Sequence, residues 1–183
     1  MIKLLALSLM ILATTAHAGL FRIGAEGGIS SANISTNSLT TTVNRSGIAA
    51  GGLAEISVLG MVYFQPELLY VQKGFTSTGV FQWDYLELPL LMKVKLGFLP
   101  LHFDIFGGPS VALAISKTPG SNIKSLDYGI HVGGGVSIDI LDVVGVFAHL
   151  RYALGLAEIS DIAATSVKNN ALLLMAGIIV GGF

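Results

Sequence analysis

The side chains with the greatest potential for chemistry in this sequence are three histidines, His102, His131 and His149. Imidazole is a common zinc ligand and a frequent general base. Each histidine lies in a different segment in which polar and apolar residues alternate. His131 and His149 are near the middle of their segments and His102 is at the end of its own, so the three rings are poorly placed to converge on one ion. We therefore predict no metal site and expect the histidines to join a polar network.

A hydrolytic site would require a serine, a histidine and a carboxylate within hydrogen-bonding reach. Serines are plentiful in the segments between the alternating stretches, but no histidine occurs there, and only His131 lies fairly close to one. The run Gly133-Gly134-Gly135 falls inside an alternating stretch, where glycine marks close packing more often than a phosphate-binding loop. The sequence therefore predicts no catalytic residues and no bound cofactor.

The composition excludes several classes of protein. The 183 residues include 10 Lys+Arg and 11 Asp+Glu, and charged residues make up 11% of the chain against 52% hydrophobic residues. A soluble domain has about 25% charged residues, so this chain carries too little charge to cover a soluble surface. The absence of a basic cluster argues against nucleic-acid binding. With no cysteine, the chain has no disulfide, thiolate metal site or cysteine nucleophile.

The first residues have the features of a secretory signal peptide. A lysine precedes the apolar stretch Leu4–Leu12, and Ala16-His17-Ala18 fits the small-x-small rule for cleavage. We predict a signal peptide over residues 1–18 and one mature domain over residues 19–183.

Alternation with a period of two dominates the mature chain. In Asp84–Phe98 every even-numbered residue from Leu86 onward is apolar, whereas Glu87 and two lysines have odd numbers. Only a strand aligns alternate residues on one face. Pro89 must therefore occupy a bulge or a locally unpaired position. Eight strands are predicted: Leu20–Ser30, Ser46–Val58, Met61–Lys73, Asp84–Phe98, Leu101–Ile115, Asp127–Ile140, Val144–Leu156 and Asn170–Phe183, the last being apolar on both faces.

The lengths of the strands and of their connections predict a membrane barrel. A globular strand has about 5–6 residues, whereas a tilted membrane-spanning strand needs about 9–11. Long polar connections alternate with short ones, as in outer-membrane barrels. The predicted long connections are 31–44, 75–82, 116–125 and 158–169, and the short ones are Leu59-Gly60, Leu99-Pro100 and Leu141–Val143. A soluble barrel would alternate in the same way, but its outside would then be too poor in charge.

We therefore predict an all-β fold, an eight-stranded antiparallel transmembrane β-barrel with an up-and-down meander and its apolar face in outer-membrane lipid. Tyr70, Trp83 and Tyr128 are expected in an aromatic girdle near the long connections. The polar face would line a lumen just wide enough for its own side chains, and buried charges must be paired, so we expect a plug of ion pairs. The predicted lumen network is Arg22, Glu26, Glu55, Glu67, Lys73, Glu87, Lys93, Lys95, Asp104, Asp127, His131, Asp139, His149 and Arg151.

Two segments resemble a known group of barrels. Asp84–Lys93, with the sequence DYLELPLLMK, resembles the Y-L-E-x-P-L-L-x-K strand of the small outer-membrane β-barrel proteins of the porin-family or PorT-like group, and Gln65–Phe75 resembles the strand and loop that precede it. The size is similar to that of the OmpA/OmpX type. Phe183 resembles the terminal aromatic residue that the barrel-assembly machinery reads. The resemblance implies an outer-membrane location in a Gram-negative bacterium, and for some PorT-like proteins a role in secretion that no residue here carries.

The short connections also predict which residues face each other. If Leu99-Pro100 is a two-residue turn, Lys95 lies opposite Asp104, and we expect these two to form an ion pair. Proline at the second position of such a turn is disfavoured unless its peptide bond is cis. The connection Leu141–Val143 places Arg151 opposite Gly133 and His149 opposite Gly135, where glycine leaves room for the larger side chain.

The sequence leaves more than one function open. We favour a structural or surface-interaction barrel without an open pore, whose long loops meet an unknown extracellular partner. The alternatives are an enzyme that modifies lipids of the outer leaflet, and a narrow passive channel.

Overall fold

The computed structural model describes residues 21–36, 43–76, 80–117, 125–140, 143–156 and 167–181. They form eight strands: β1 Phe21–Thr36, β2 Val43–Leu59, β3 Val62–Thr76, β4 Val80–Phe98, β5 Leu101–Lys117, β6 Leu126–Ile140, β7 Val144–Gly155 and β8 Val167–Gly181. Each strand pairs antiparallel with the next, and β1 pairs with β8, so the sheet closes into a barrel with meander order, as predicted. Among the described residues no helix is long and apolar enough to cross a membrane.

The barrel has two distinct ends. At one end, here called the turn end, β2 joins β3, β4 joins β5 and β6 joins β7, and this is also where β1 begins and β8 stops. The other connections lie at the opposite end, here called the loop end. The predicted signal peptide and Phe183 lie outside the described residues.

The strands extend further toward the loop end than the sequence predicts. The connection expected over 75–82 is wrong, because β3 continues to Thr76 and β4 starts at Val80, with Phe75 paired with Phe81. Likewise, β1 continues to Thr36 and β8 already begins at Val167. Backbone pairing does not require apolar alternation, so Ser-, Thr- and Asn-rich sequence continues the ladder where the alternation has faded.

The turn end agrees closely with the predicted connections. Leu99-Pro100 separates β4 from β5 and has a cis peptide bond. Between β2 and β3 the two turn residues are Gly60 and Met61 rather than Leu59 and Gly60. Gly60 has a φ of 53°, a left-handed conformation that glycine adopts without steric cost.

Residues alternate strictly between the outside and the lumen. Ile105 is 59% exposed whereas its neighbour Asp104 is 2% exposed, and the same contrast recurs on every strand. The outward face carries leucine, isoleucine, valine and phenylalanine, which is the apolar band that lipid requires. On β8, where the sequence left the facing open, Leu173, Met175 and Ile179 point inward.

Pro89 occupies a locally unpaired position, as predicted. The ladder between β3 and β4 runs to Pro66↔Leu90 and resumes at Leu69↔Glu87, so Pro89 has no partner on β3. Its pairing with Ser110 on β5 is kept. Proline has no N–H to donate, so the ladder loses one hydrogen bond there without a shift of register.

The predicted outer girdle needs one correction. Tyr128 is 51% exposed and faces outward, but Trp83 is 2% exposed and points into the lumen. The reason is its position in the alternation, because the odd-numbered residues of β4 from Tyr85 to Lys95 face inward. Trp83 instead packs in a buried cluster with Tyr85 and Ala112.

Candidate functional site: the barrel lumen

Most of the described polar side chains of the lumen belong to three groups along the barrel axis, and Asp104, Ser137 and His149 form a separate cluster. The group at the turn end is centred on Glu55 of β2, which contacts Arg22 at 2.5 Å, Lys95 at 3.1 Å and Lys93 at 3.2 Å. Arg22 also donates to Asp139 at 2.8 Å. These contacts join β1, β2, β4 and β6, so they tie together strands that are not neighbours in the sheet.

The expected ion pair between Lys95 and Asp104 is wrong, although the register that suggested it is right. Lys95 does lie directly opposite Asp104. Lys95 Nζ, however, binds Glu55 on the far side of β3, and Asp104 accepts a hydrogen bond from Ser137 at 3.0 Å and lies 2.8 Å from His149 Nε2. A long side chain in a narrow lumen reaches past its cross-strand partner, so proximity of Cβ atoms does not fix the pairing.

The middle group is centred on Arg151 of β7, which is fully buried. Its guanidinium donates to Glu67 at 2.5 Å and to Glu26 at 3.1 Å, and Gln65 donates to Glu67 at 2.5 Å. The planar fork of arginine suits such a contact with two carboxylates. The group connects β1, β3 and β7 across the lumen.

Glycines on β6 make room for the large side chains of β5 and β7. Gly133 faces Arg151 and Gly135 faces His149, as predicted. A Cβ atom on Gly135 would lie 2.7 Å from His149 Cδ2, and one on Gly133 would lie 2.7 Å from the Phe106 ring. The missing side chain at Gly135 allows His149 to reach Asp104 on the other side of it.

Two aromatic rings pack against His149 inside the lumen. The His149 ring lies 4.5 Å from the Phe147 ring and 4.8 Å from the Phe106 ring, and the Arg151 guanidinium lies 5.4 Å from the Phe106 centroid. Sequence reasoning missed these two phenylalanines as lumen residues. Their positions could have revealed them, because alternate residues of a strand share a face, and Phe106 and Phe147 each lie two residues from a predicted lumen residue, Asp104 and His149. The contacts are typical of stacked and cation–π arrangements.

The third group lies at the loop end and contains Lys73, Glu87, Asp127 and His131. Lys73 forms an ion pair with Glu87, whose other oxygen lies 3.4 Å from His131 Nε2. Asp127 lines the same small cavity, with Ser110 at its wall. All five of these side chains are buried.

The structure thus places every residue of the predicted lumen network on the inward face, but it divides them into groups. The three histidines are kept apart, since His102 is 3.5 Å from Asp139, His131 contacts Glu87 and His149 contacts Asp104. Among the described residues, no group of three or more His, Cys, Asp or Glu side chains is arranged to hold a metal ion.

Comparison with known proteins agrees with this architecture. The family model described as "Outer membrane protein beta-barrel domain" matches residues 13–161. No curated protein matches the sequence.

Solved structures share the fold at low sequence identity. Neisserial surface protein A is 18% identical, with a TM-score of 0.69 over 92% of this chain and 100% of that one. The N-terminal β-barrel domain of OprF from Pseudomonas aeruginosa is 11% identical, with a TM-score of 0.55 over 90% of this chain and 98% of that one. OprG from the same organism is 13% identical, with a TM-score of 0.53 over 90% and 97%.

Proposed function

From the premise that this chain belongs to the outer membrane protein β-barrel domain family, we propose that it is a surface barrel with a structural or interaction role and without an open pore. As a member of that family it lies in the outer membrane of a Gram-negative bacterium. The proposal concerns what the barrel does there.

The observation that carries this proposal is the continuity of buried, paired side chains along the lumen. Glu55, Arg151 and Glu87 each sit at the centre of one polar group and are at most 1% exposed. The rings of Phe106 and Phe147 pack on either side of the buried His149 ring and support this proposal. A conducting path would require these buried charges to separate, and removing one partner of a buried pair typically costs about 3–5 kcal/mol.

Conductance of the purified barrel in a planar lipid bilayer tests the absence of a pore. We expect no steady channel from the native protein. The matched comparison is Phe106→Ala combined with Phe147→Ala, which removes both rings that pack against His149 in the lumen. Steady ohmic conductance of the native barrel would support the narrow-channel alternative and contradict the proposal.

A lipid-modifying enzyme is the alternative from another class. It has one observation in its favour, because Ser110, His131 and Glu87 line the same cavity at the loop end. The cavity measures about 10 Å3, room for about one water molecule and not for an acyl chain. His131 Nδ1 has no hydrogen-bond partner among the described residues, so no serine hydroxyl is engaged by it.

Mass spectrometry of lipid A from cells with and without the protein tests this alternative, and a changed acylation pattern that is lost in Ser110→Ala would establish it.

The proposed partners follow from the location and from the resemblance to the PorT-like group. Outer-membrane lipid surrounds the apolar face, and the connections at the loop end are proposed to meet an extracellular partner.

Phe183 is proposed as the residue read by the barrel-assembly machinery. Deletion of Phe183 should lower the amount of heat-modifiable folded barrel in the membrane fraction, whereas Phe183→Tyr should keep it, and equal amounts in all three proteins would contradict this role.

A further inference from the structure

The cavity at the loop end has a surplus of negative charge. Lys73 faces two carboxylates, Glu87 and Asp127, and it forms its ion pair with Glu87. With a neutral His131 the group has a net charge of one negative unit. Asp127, which is 3% exposed, accepts a hydrogen bond from the backbone of Tyr128 but forms no ion pair within the described residues. A carboxylate removed from water is costly unless a positive charge or hydrogen-bond donors compensate it.

Four buried atoms at this cavity have no hydrogen-bond partner among the described residues. Two are the oxygens of Glu87, which lie in ion-pair range of Lys73 and His131. The other two are Asp127 Oδ1 and His131 Nδ1. Buried polar atoms are nearly always paired, so each of these last two atoms calls for a partner beyond the described residues. When His131 Nε2 donates to Glu87, Nδ1 carries a lone pair, and both unpaired atoms are then acceptors.

Small residues create the space between the two carboxylates. Ala112 of β5 pairs with Glu87 on one side and with Asp127 on the other, so the two carboxylates flank a side chain that is only a methyl group. Gly129 and Ala153 complete the wall, and Ser110 adds a hydroxyl. The resulting space of about 10 Å3 has room for one water molecule or one ion of about that size.

We propose that this cavity, between Asp127, Ser110 and His131, binds a single monovalent cation no larger than a water molecule, such as sodium or potassium. With His131 neutral, Lys73, Glu87 and Asp127 together carry one net negative charge, and one monovalent cation balances it. Carboxylate and hydroxyl oxygens are the hard ligands that such cations prefer. A water molecule would satisfy the two acceptors but would leave the charge uncompensated.

Two other occupants fit the cavity less well. A divalent ion would over-compensate a site that lacks one positive charge, and no described group of three metal-ligating side chains surrounds it. A proton on Asp127 or on His131 would also balance the charge, but it would leave the space between Asp127 and Ser110 unfilled. Because of these differences, an experiment can distinguish a bound cation from a bound proton.

The test compares the thermal unfolding of the full purified barrel in detergent in chloride salts of sodium, potassium and N-methylglucamine at equal ionic strength. The measurement is made at about pH 8.5, where an ordinary histidine is neutral. A cation at ten times its dissociation constant favours the folded state about tenfold, which raises the melting temperature by about 3–6 °C. We expect this increase in sodium or potassium and not in the bulky N-methylglucamine ion. Equal melting temperatures in all three salts would overturn the proposal.

Three variants assign the effect to the cavity. Asp127→Asn removes the uncompensated charge, and Ala112→Val fills the space while keeping every charge, so both should lose the cation-dependent increase. Asp139→Asn removes a carboxylate at the turn end and should keep the increase even if the barrel is less stable.

Sodium-23 relaxation of the same samples reports binding directly, and broadening that persists in Asp127→Asn and in Ala112→Val would place the ion elsewhere and overturn the proposal. Stabilisation that appears only on acidification, and equally in all three salts, would assign the charge balance to a proton and overturn the proposal.

Discussion

Lys95 and Asp104 lie directly opposite each other on β4 and β5, yet each binds a different partner. Lys95 reaches across β3 to Glu55, and Asp104 reaches across Gly135 to His149. The lumen is therefore held together by contacts that skip a strand, which connect parts of the sheet that backbone pairing leaves separate. This arrangement makes the energetic coupling between lumen residues a sensitive test of the structure.

A double-mutant cycle on Lys95→Met and Glu55→Gln should show strong coupling in urea unfolding of the barrel in lipid vesicles. Removing one partner of a buried pair costs about 3–5 kcal/mol, and the second substitution should then cost much less. The matched cycle on Lys95→Met and Asp104→Asn should show weaker coupling, because these two side chains lie opposite each other without a direct ion pair. Coupling that is larger in the second cycle than in the first would mean that Lys95 pairs with Asp104 after all.

Arg151→Met should destabilise the barrel more than any other single change in the middle group. It leaves Glu26 and Glu67 facing each other without a counter-charge, at a cost of about 3–5 kcal/mol in the free energy of unfolding. The triple variant Arg151→Met, Glu26→Gln, Glu67→Gln should recover much of that loss, because no buried charge then remains unpaired. If the triple variant is as unstable as Arg151→Met, the loss comes from packing against Phe106 rather than from charge.

The pairing and the facing of residues could be predicted from the sequence because they depend on local features. Parity along each strand placed the candidate residues on the inward face, and the two-residue turn at Leu99-Pro100 fixed the register of β4 and β5. Neither feature specifies which carboxylate a lysine reaches, because Glu55 lies two strands from Lys95 and its approach depends on the size and curvature of the closed barrel. The extent of β3 and β4 was underestimated for a different reason, since alternation disappears where a strand leaves the apolar layer.

Glycine on β6 is required where it faces a large lumen side chain, and Gly135→Ala should measure that requirement. Its Cβ atom would lie 2.1 Å from the carbonyl oxygen of Ala148 and 2.7 Å from His149 Cδ2, so the histidine or the backbone must move. Overpacking of this kind typically costs about 1–3 kcal/mol. Gly27→Ala is the control, because its Cβ atom would face outward and meet nothing closer than 3.8 Å, and it should change the free energy of unfolding little. Equal losses in both variants would show that strand propensity, and not the space for His149, accounts for the effect.

The orientation of the barrel in the membrane follows from its two ends, and we expect the loop end to face the outside of the cell. The even number of strands brings the start of β1 and the end of β8 to the same side, the turn end, which should be periplasmic. A protease site inserted at Asn37, in the connection from β1 to β2, should be cut on intact cells, whereas the same site inserted between Leu99 and Pro100 should be cut only after the outer membrane is permeabilised. Folding of each insertion variant is checked by heat-modifiable migration, so that only folded barrel is compared. Cleavage at the Leu99-Pro100 insertion but not at Asn37 on intact cells would mean that the barrel is inverted, and the cation cavity at Asp127 would then open to the periplasm.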